Sequence, residues 1–167
     1  RGKFGIYYGM GVFVKMSDKL AFVPEFKPFS YRGAQNVKPI SPYAIDDASY
    51  SLALNYLDLP ILFQYKFSKH LYIATGPQIN FLLSAKQRGY GFVTGTDREI
   101  KISESFYDTF EPIYFSWPAE VGFCFTDVIQ KQDLDFKIRY NVSFTDVIAD
   151  KSYGSSHISL FQFILSI

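Results

Sequence analysis

The chain has little sulfur or imidazole chemistry to offer. Its one cysteine, Cys124, excludes an internal disulfide, and its two histidines, His70 and His157, leave little for a metal site. It has no run of 18 apolar residues, so no transmembrane helix is expected. It has no excess charge of either sign: 17 Lys and Arg face 16 Asp and Glu, a formal net charge of +1, which carries no footprint for nucleic acid. No signal-peptide pattern opens it, since Arg1 leads directly into a patterned segment; a secreted protein would here be a mature or truncated form. Aromatic side chains, by contrast, are abundant. They make up 19 % of 167 residues, with 18 Phe and 13 Tyr, which excludes disorder. The length suits a single domain spanning 1–167.

The dominant pattern is strict alternation. From Leu134 to Thr145 one parity reads Leu134, Phe136, Ile138, Tyr140, Val142, Phe144, and the other reads Asp135, Lys137, Arg139, Asn141, Ser143, Thr145. Successive side chains of a strand point to opposite faces, so this is a strand with one apolar and one polar face. Six more segments read the same way, at about 3–15, 20–31, 51–67, 70–85, 113–126 and 156–167. Most reach the roughly 9–11 residues that a tilted membrane strand needs, beyond the five or six usual in soluble proteins. Connections alternate in length. Lys15–Lys19, Ser68–Lys69 and Asp127–Gln132 are short; Arg32–Tyr50, Lys86–Pro112 and Asp146–Ser155 are long. Short turns on one rim and long loops on the other match the layout of outer-membrane barrels. Within the long connection Lys86–Pro112, Ser103–Thr109 reads as one short helix.

Alternation alone fits a soluble lipocalin-like barrel equally well; side-chain size separates the two. The apolar parity is bulky, as in Tyr8, Met10 and Val12, in Leu57, Leu59, Ile61 and Phe63, and in Phe161, Phe163 and Leu165. An eight-stranded barrel is only just wide enough for its interior side chains, so these residues belong outside. Phe63, Ile73, Phe123, Ile138 and Phe163 are accordingly expected to face lipid. The opposite parity is small and polar, with Gly5, Gly9, Gly11, Ala21, Ala74, Gly76, Gly122 and Ser143. Among them stand four acids, Glu25, Asp58, Glu120 and Asp135, and four bases, Lys27, Lys66, Lys137 and Arg139, expected to form a paired charge network in the lumen. Pro24, Pro28, Pro60, Pro77 and Pro118 fall inside strands, and each implies a bulge or a strand end. Closure removes the sheet edges that lipid cannot satisfy. The fold class is therefore all-β: an up-and-down antiparallel transmembrane β-barrel of about eight strands. Seven are visible, and one is expected upstream of residue 1, or hidden in the loop 86–112 near Tyr90–Thr94.

Several local sequences resemble a known family. Leu54-Asn55-Tyr56-Leu57-Asp58-Leu59-Pro60-Ile61-Leu62, followed by Gln64-Tyr65-Lys66-Phe67, resembles a strand signature of the PorT-like outer-membrane β-barrel family. Leu71-Tyr72-Ile73-Ala74-Thr75-Gly76-Pro77-Gln78, Ser17-Asp18-Lys19-Leu20 with Pro24-Glu25, and Arg139-Tyr140-Asn141 resemble its other strands, in the same order. The family's glycine-rich opening strand has no counterpart here, and the chain ends Leu165-Ser166-Ile167 rather than on an aromatic. The resemblance implies an eight-stranded barrel in the outer membrane of a Gram-negative bacterium, with both termini periplasmic. It implies little about activity, although some members of the wider group are similar to components of a secretion and gliding apparatus.

Nothing in the sequence marks an enzyme. Neither histidine lies in a nucleophile-elbow or metal-ligand pattern. Asp97, Glu99, Glu104, Asp108 and Glu111 gather in one loop without a histidine, and neither they nor Asp46-Asp47 follow a calcium-loop spacing. Cys124 lies on the lumen parity as a small packing residue, and Asn141-Val142-Ser143 matches a glycosylation sequon only in mid-strand. No catalytic residue, metal or cofactor is expected. Two aromatic girdles are expected at the membrane interfaces: Trp117, Tyr114, Tyr107, Tyr90, Tyr50 and Tyr56 near the long loops, and Tyr65, Phe67, Tyr72, Phe125 and Phe136 near the short turns. The expected function is that of a non-enzymatic barrel with a filled lumen. Lipid is one partner, and a protein engaged through loops 32–50 and 86–112 is the other, in keeping with an accessory role in a secretion or surface complex. The alternatives are a barrel binding a small apolar ligand and a narrow solute pore.

Overall fold

The computed structural model describes residues 2–3, 7–35, 46–92, 99–105, 107–129, 132–149 and 157–166. They form one antiparallel sheet of eleven strand segments. β1 (Gly2–Lys3), β2 (Tyr7–Gly11) and β3 (Val14–Lys15) all lie on β4 (Leu20–Gln35). β4 pairs with β5 (Asp46–Lys66), and β5 with both β6 (Leu71–Thr75) and β7 (Gln78–Phe92). β8 (Glu99–Ser105) returns along the far end of β7. β9 (Ile113–Ile129) then lies against β7 and β6, followed by β10 (Gln132–Ser143) and β11 (Ser159–Ser166). Each run across the sheet neighbours the next in sequence, so the topology is up-and-down, as the alternation predicted.

Two of the short turns share one chemistry. Ser17 Oγ accepts from the backbone N–H of Lys19 and Leu20, and Ser68 Oγ accepts from that of His70 and Leu71. Met16 and Phe67 close the turns by donating to the Leu20 and Leu71 carbonyls, at 2.9 and 3.0 Å. In each, a serine three residues before a leucine supplies the acceptor that the reversing backbone needs.

Pro28 and Pro77 sit where the ladder is interrupted, whereas Pro24 lies opposite Ile61 in unbroken register and marks neither the bulge nor the strand end expected of it. Gly76-Pro77 separates β6 from β7, and Trp117 and Pro118 lie opposite that break on β9. A Cβ at Gly76 would collide with the Ile61 carbonyl oxygen, so only glycine permits the backbone approach there. Pro28 lies in the bulge between Lys27 and Ser30, where β4 slips register against β5.

Three expectations about local structure are corrected. The stretch 86–112 is largely strand, because β7 runs on to Phe92 and pairs with β8. Ser103–Thr109 is strand to Ser105, with only a single 3-10 turn at Tyr107–Thr109. β9 continues to Ile129, beyond the end expected near residue 126. β8 adds no span: it follows the same edge of β7 that β9 takes up lower down, so the 86–92 and 99–105 arms extend one hairpin beyond the sheet's middle. Gly5, Asp97 and the 36–45 stretch lie outside the described residues.

Candidate functional site

Charge and size sort between the two faces of the sheet. Phe63, Ile73, Phe123, Ile138 and Phe163 are all exposed on the outer face, Phe163 the most, at 68 %. From Ile113 to Phe125 every second residue of β9 faces outward, and each of these is apolar. At roughly 2.5 Å of rise per residue for a strand tilted about 40°, this stretch spans about 30 Å, enough for an apolar band of about 25 Å. Lys86 and Arg88 stand exposed on the outer side of β7, beyond this band. A soluble barrel would carry the opposite arrangement.

The interior is polar and closely packed. Arg139, on β10, has no exposed surface. Its Nε donates to Glu120 Oε2 on the neighbouring β9 at 2.7 Å. Its Nη1 and Nη2 donate to the two carboxylate oxygens of Glu25 at 2.8 Å each. Glu25 lies on β4, separated from β10 in the sheet order by β5, β6 and β9, so the sheet is rolled until these walls meet. Lys27 lies 3.3 Å from Glu25, and Lys137 is 3.9 Å from Asp135, which also accepts from the Tyr72 hydroxyl at 3.4 Å. The two-pronged guanidinium–carboxylate pairing is the geometry that makes a buried charge pair tolerable.

A second cluster sits toward the long-loop rim. Arg32 Nη2 donates to Asp58 Oδ2 at 2.6 Å and to Asn80 Oδ1 at 3.2 Å. Asn80 Nδ2 in turn donates to the Tyr114 carbonyl and to Ser116 Oγ. The Arg32 guanidinium lies over the rings of Tyr56 and Tyr114, 4.6 and 5.6 Å from their centroids. Above this cluster the interior turns apolar. Leu54, Leu82, Ala85 and Tyr114 pack against Phe110 and Val147, which come from the connections 107–112 and 144–149. Those connections bond to each other: Glu111 donates to the Val147 carbonyl at 2.8 Å and Ala149 to the Thr109 carbonyl at 2.9 Å. The lumen is thus charged in its middle and capped by a small apolar core at one end.

The structure brings Glu25, Lys27, Glu120 and Arg139 into one cluster and Asp135 with Lys137 beside it. It places Asp58 in the separate Arg32 cluster. Lys66 stands apart, half-buried near the short-turn rim with its ammonium over the Phe13 ring at 5.1 Å. Tyr56, Tyr114 and Tyr72 were expected in the outer aromatic girdles, and this is corrected: all three are buried inside. Their parity, shared with Asp58, Glu120 and Ala74, carried that information. Arg32 was missed because the strand was expected to end at 31 with Arg32 opening a long connection to Tyr50; instead β4 runs on to Gln35 and β5 begins at Asp46, and the Pro28 bulge turns Arg32 inward. The side chains of Tyr50 and Tyr90 lie outside the described residues.

A long-stranded, up-and-down antiparallel sheet, apolar outside and charged inside, defines a small outer-membrane barrel protein. The sequence agrees: residues 2–149 match the model of the outer membrane protein beta-barrel domain, and the chain belongs to that family. Its place is the bacterial outer membrane. No curated protein sequence matches the chain.

Proposed function

We propose that this protein is a non-enzymatic barrel whose lumen is closed by its own side chains and which acts through its long-loop rim. The observation that carries this reading is the pair of obstructions in series. The Glu25–Arg139–Glu120 bridge spans the interior, and the Phe110–Val147 core covers the loop end. Water and ions passing through would have to break a buried ionic cluster and displace packed apolar side chains. Narrow barrels are generally filled in this way. The apolar interior is spent on the cap, which also weighs against a pocket for a small apolar ligand.

In this reading the short-turn rim faces the periplasm and the long loops face outward. The hairpin of β7 and β8 rises past the lipid-facing band, and with the 32–50 stretch it offers the surface for a protein partner. The resemblance to the PorT-like family supports an accessory role in a secretion or surface complex. The test joins two measurements on the purified protein. Planar-bilayer recording is expected to show no stable channels of porin size. Removal of 86–105, with a short turn in its place, is expected to leave a folded barrel that no longer co-purifies with its complex from the native membrane. Stable porin-like currents would contradict the closed lumen, and unchanged co-purification would contradict the role of the hairpin.

A further inference from the structure

The outer wall of the barrel changes chemistry at one level. From Phe67 back to Leu57 every second residue faces outward, and each is apolar. At roughly 2.5 Å of rise per residue this stretch covers about 25 Å, the full height of a lipid-facing band. The next outward residue on β5 is Asn55, whose Nδ2 donates to Ser84 Oγ across the β5–β7 pairing at 2.8 Å. From that row toward the long loops the outward positions of β5, β7 and β8 are small, polar or basic. They are Ala53 and Ser51, Lys86 and Arg88, and Ser105 and Ser103.

The two basic residues occupy a defined depth. Lys86 lies about 5 Å and Arg88 about 10 Å beyond the Asn55–Ser84 row, and the headgroup layer outside the hydrocarbon is roughly 5–8 Å deep on each side. Two residues apart on one face, their Cα atoms are about 6.6 Å from each other, close enough for both side chains to reach one phosphate. In cross-strand register Ser105 stands opposite Lys86 and Ser103 opposite Arg88. Among the described residues neither basic side chain carries an ion pair or a hydrogen bond, and no acid faces outward on the three strands at this level. A guanidinium offers a planar fork of N–H donors that matches phosphate oxygens, and an ammonium beside it adds a point charge.

We propose that Lys86 and Arg88 form a binding site for the phosphate of an outer-leaflet lipid headgroup, with the Ser103 hydroxyl as a further donor. The choice of leaflet rests on the reading above, which turns the long-loop rim outward; the phosphate chemistry does not. Position favours lipid over a protein. Both residues continue the wall that carries Leu57 and Phe81, which are paired in register, so a lipid whose chains lie on those residues brings its headgroup to Lys86 and Arg88. Position also favours lipid over free phosphate. A lipid phosphate arrives with its chains already held by the apolar band, whereas a free ion gains only exposed charge contacts that water and salt screen. A headgroup held there fixes the height at which the β7–β8 hairpin leaves the membrane.

The test is native mass spectrometry of the purified protein released from micelles. The probes are diphosphorylated lipid A, the same lipid A with its phosphates removed, phosphatidylglycerol, and inorganic phosphate as competitor. The parent is expected to bind phosphorylated lipid A about tenfold more tightly than the dephosphorylated form. The double variant Lys86→Gln, Arg88→Gln is expected to lose that preference, and the charge-retaining swap Lys86→Arg, Arg88→Lys to keep it. Lys19→Gln with Lys69→Gln, at the exposed short turns of the opposite rim, is expected to bind as the parent does. Equal binding by the parent and the Lys86→Gln, Arg88→Gln chain overturns the proposal, as does a parent indifferent to the lipid's phosphates. Loss of preference in the charge-retaining swap or in the Lys19, Lys69 variant overturns the site's location. Displacement of lipid A by millimolar inorganic phosphate overturns the lipid source, and a preference for phosphatidylglycerol overturns the leaflet. Loss of co-purification with the complex while lipid A binding is unchanged assigns the two residues to a protein partner and overturns the proposal. Failure of lipid A binding leaves the absence of porin-like currents as it stands, so the closed-lumen reading is judged separately.

Discussion

Arg139 is the residue on which the interior depends most, and replacing it by methionine has a consequence that can be worked out. The side chain is fully buried and holds two carboxylates, Glu120 through Nε and Glu25 through both terminal nitrogens. Methionine fills much of the volume but leaves both acids without the guanidinium. Removing one member of a buried ionic group typically costs about 3–5 kcal/mol, mostly because the remaining charge stays desolvated. Glu25 retains Lys27 at 3.3 Å, so the larger share of the loss falls on Glu120. Arg139→Met is therefore expected to cost about 3–4 kcal/mol. Removing Glu120 as well restores the charge balance, since Glu25 and Lys27 remain a pair. The double variant Arg139→Met, Glu120→Leu is expected within about 1–2 kcal/mol of the parent, as buried ion pairs replaced by apolar side chains often are. Urea unfolding in detergent micelles, followed by the emission of the single tryptophan, Trp117, reads both numbers. An Arg139→Met stability within about 1 kcal/mol of the parent, or a double variant weaker than the single, would refute the reasoning.

The outer face and the tight contacts give three more expectations. Ile138→Arg places a charge in the middle of the lipid-facing side of β10 and is expected to cost about 2–4 kcal/mol by the same unfolding assay, while Ile138→Leu is expected to be near neutral. At Gly122 a Cβ would overlap the Tyr72 ring, so Gly122→Ala is expected to destabilise by about 1–3 kcal/mol, and Tyr72→Ala in the same chain to recover part of it in a double-mutant cycle. Phe110→Ala removes the centre of the apolar cap, where Phe110 is buried against Leu54, Leu82 and Val147; amide exchange at 107–112 and 144–149 is expected to accelerate together, while β9 and β10 keep their protection.

The sequence was legible where alternation ran unbroken. From Leu134 to Thr145 the parity predicted both faces of β10, because nothing in that stretch bends the strand. It was equally legible at Tyr56, Tyr72 and Tyr114, where the prediction instead followed residue type and set large aromatics at the membrane interfaces. A buried tyrosine suits an interior that offers an acceptor or a cation, as Asp135 offers Tyr72 and Arg32 offers the other two. Arg32 was not legible by counting. A proline at position 28 signals a bulge, but not how many residues the strand slips, and the slip alone decides which face Arg32 takes. The apolar cap was hidden for another reason: Phe110 and Val147 lie in connections, and only the fold brings them over Leu54 and Leu82. The β7–β8 hairpin was hidden because glycines and mixed charge between Lys86 and Glu104 read as loop.

The central claim is that the bulky face meets lipid and the charged face is enclosed. The most direct measurement is a spin-label scan of β10 in bilayers, in a Cys124→Ala background, at Phe136, Lys137, Ile138, Tyr140 and Asn141. Accessibility to oxygen, which dissolves in lipid, is compared with accessibility to a water-soluble nickel chelate. The account predicts high oxygen accessibility at 136, 138 and 140, and low accessibility to both reagents at 137 and 141. High oxygen accessibility at 137 and 141, with 136, 138 and 140 shielded from it, would contradict the account.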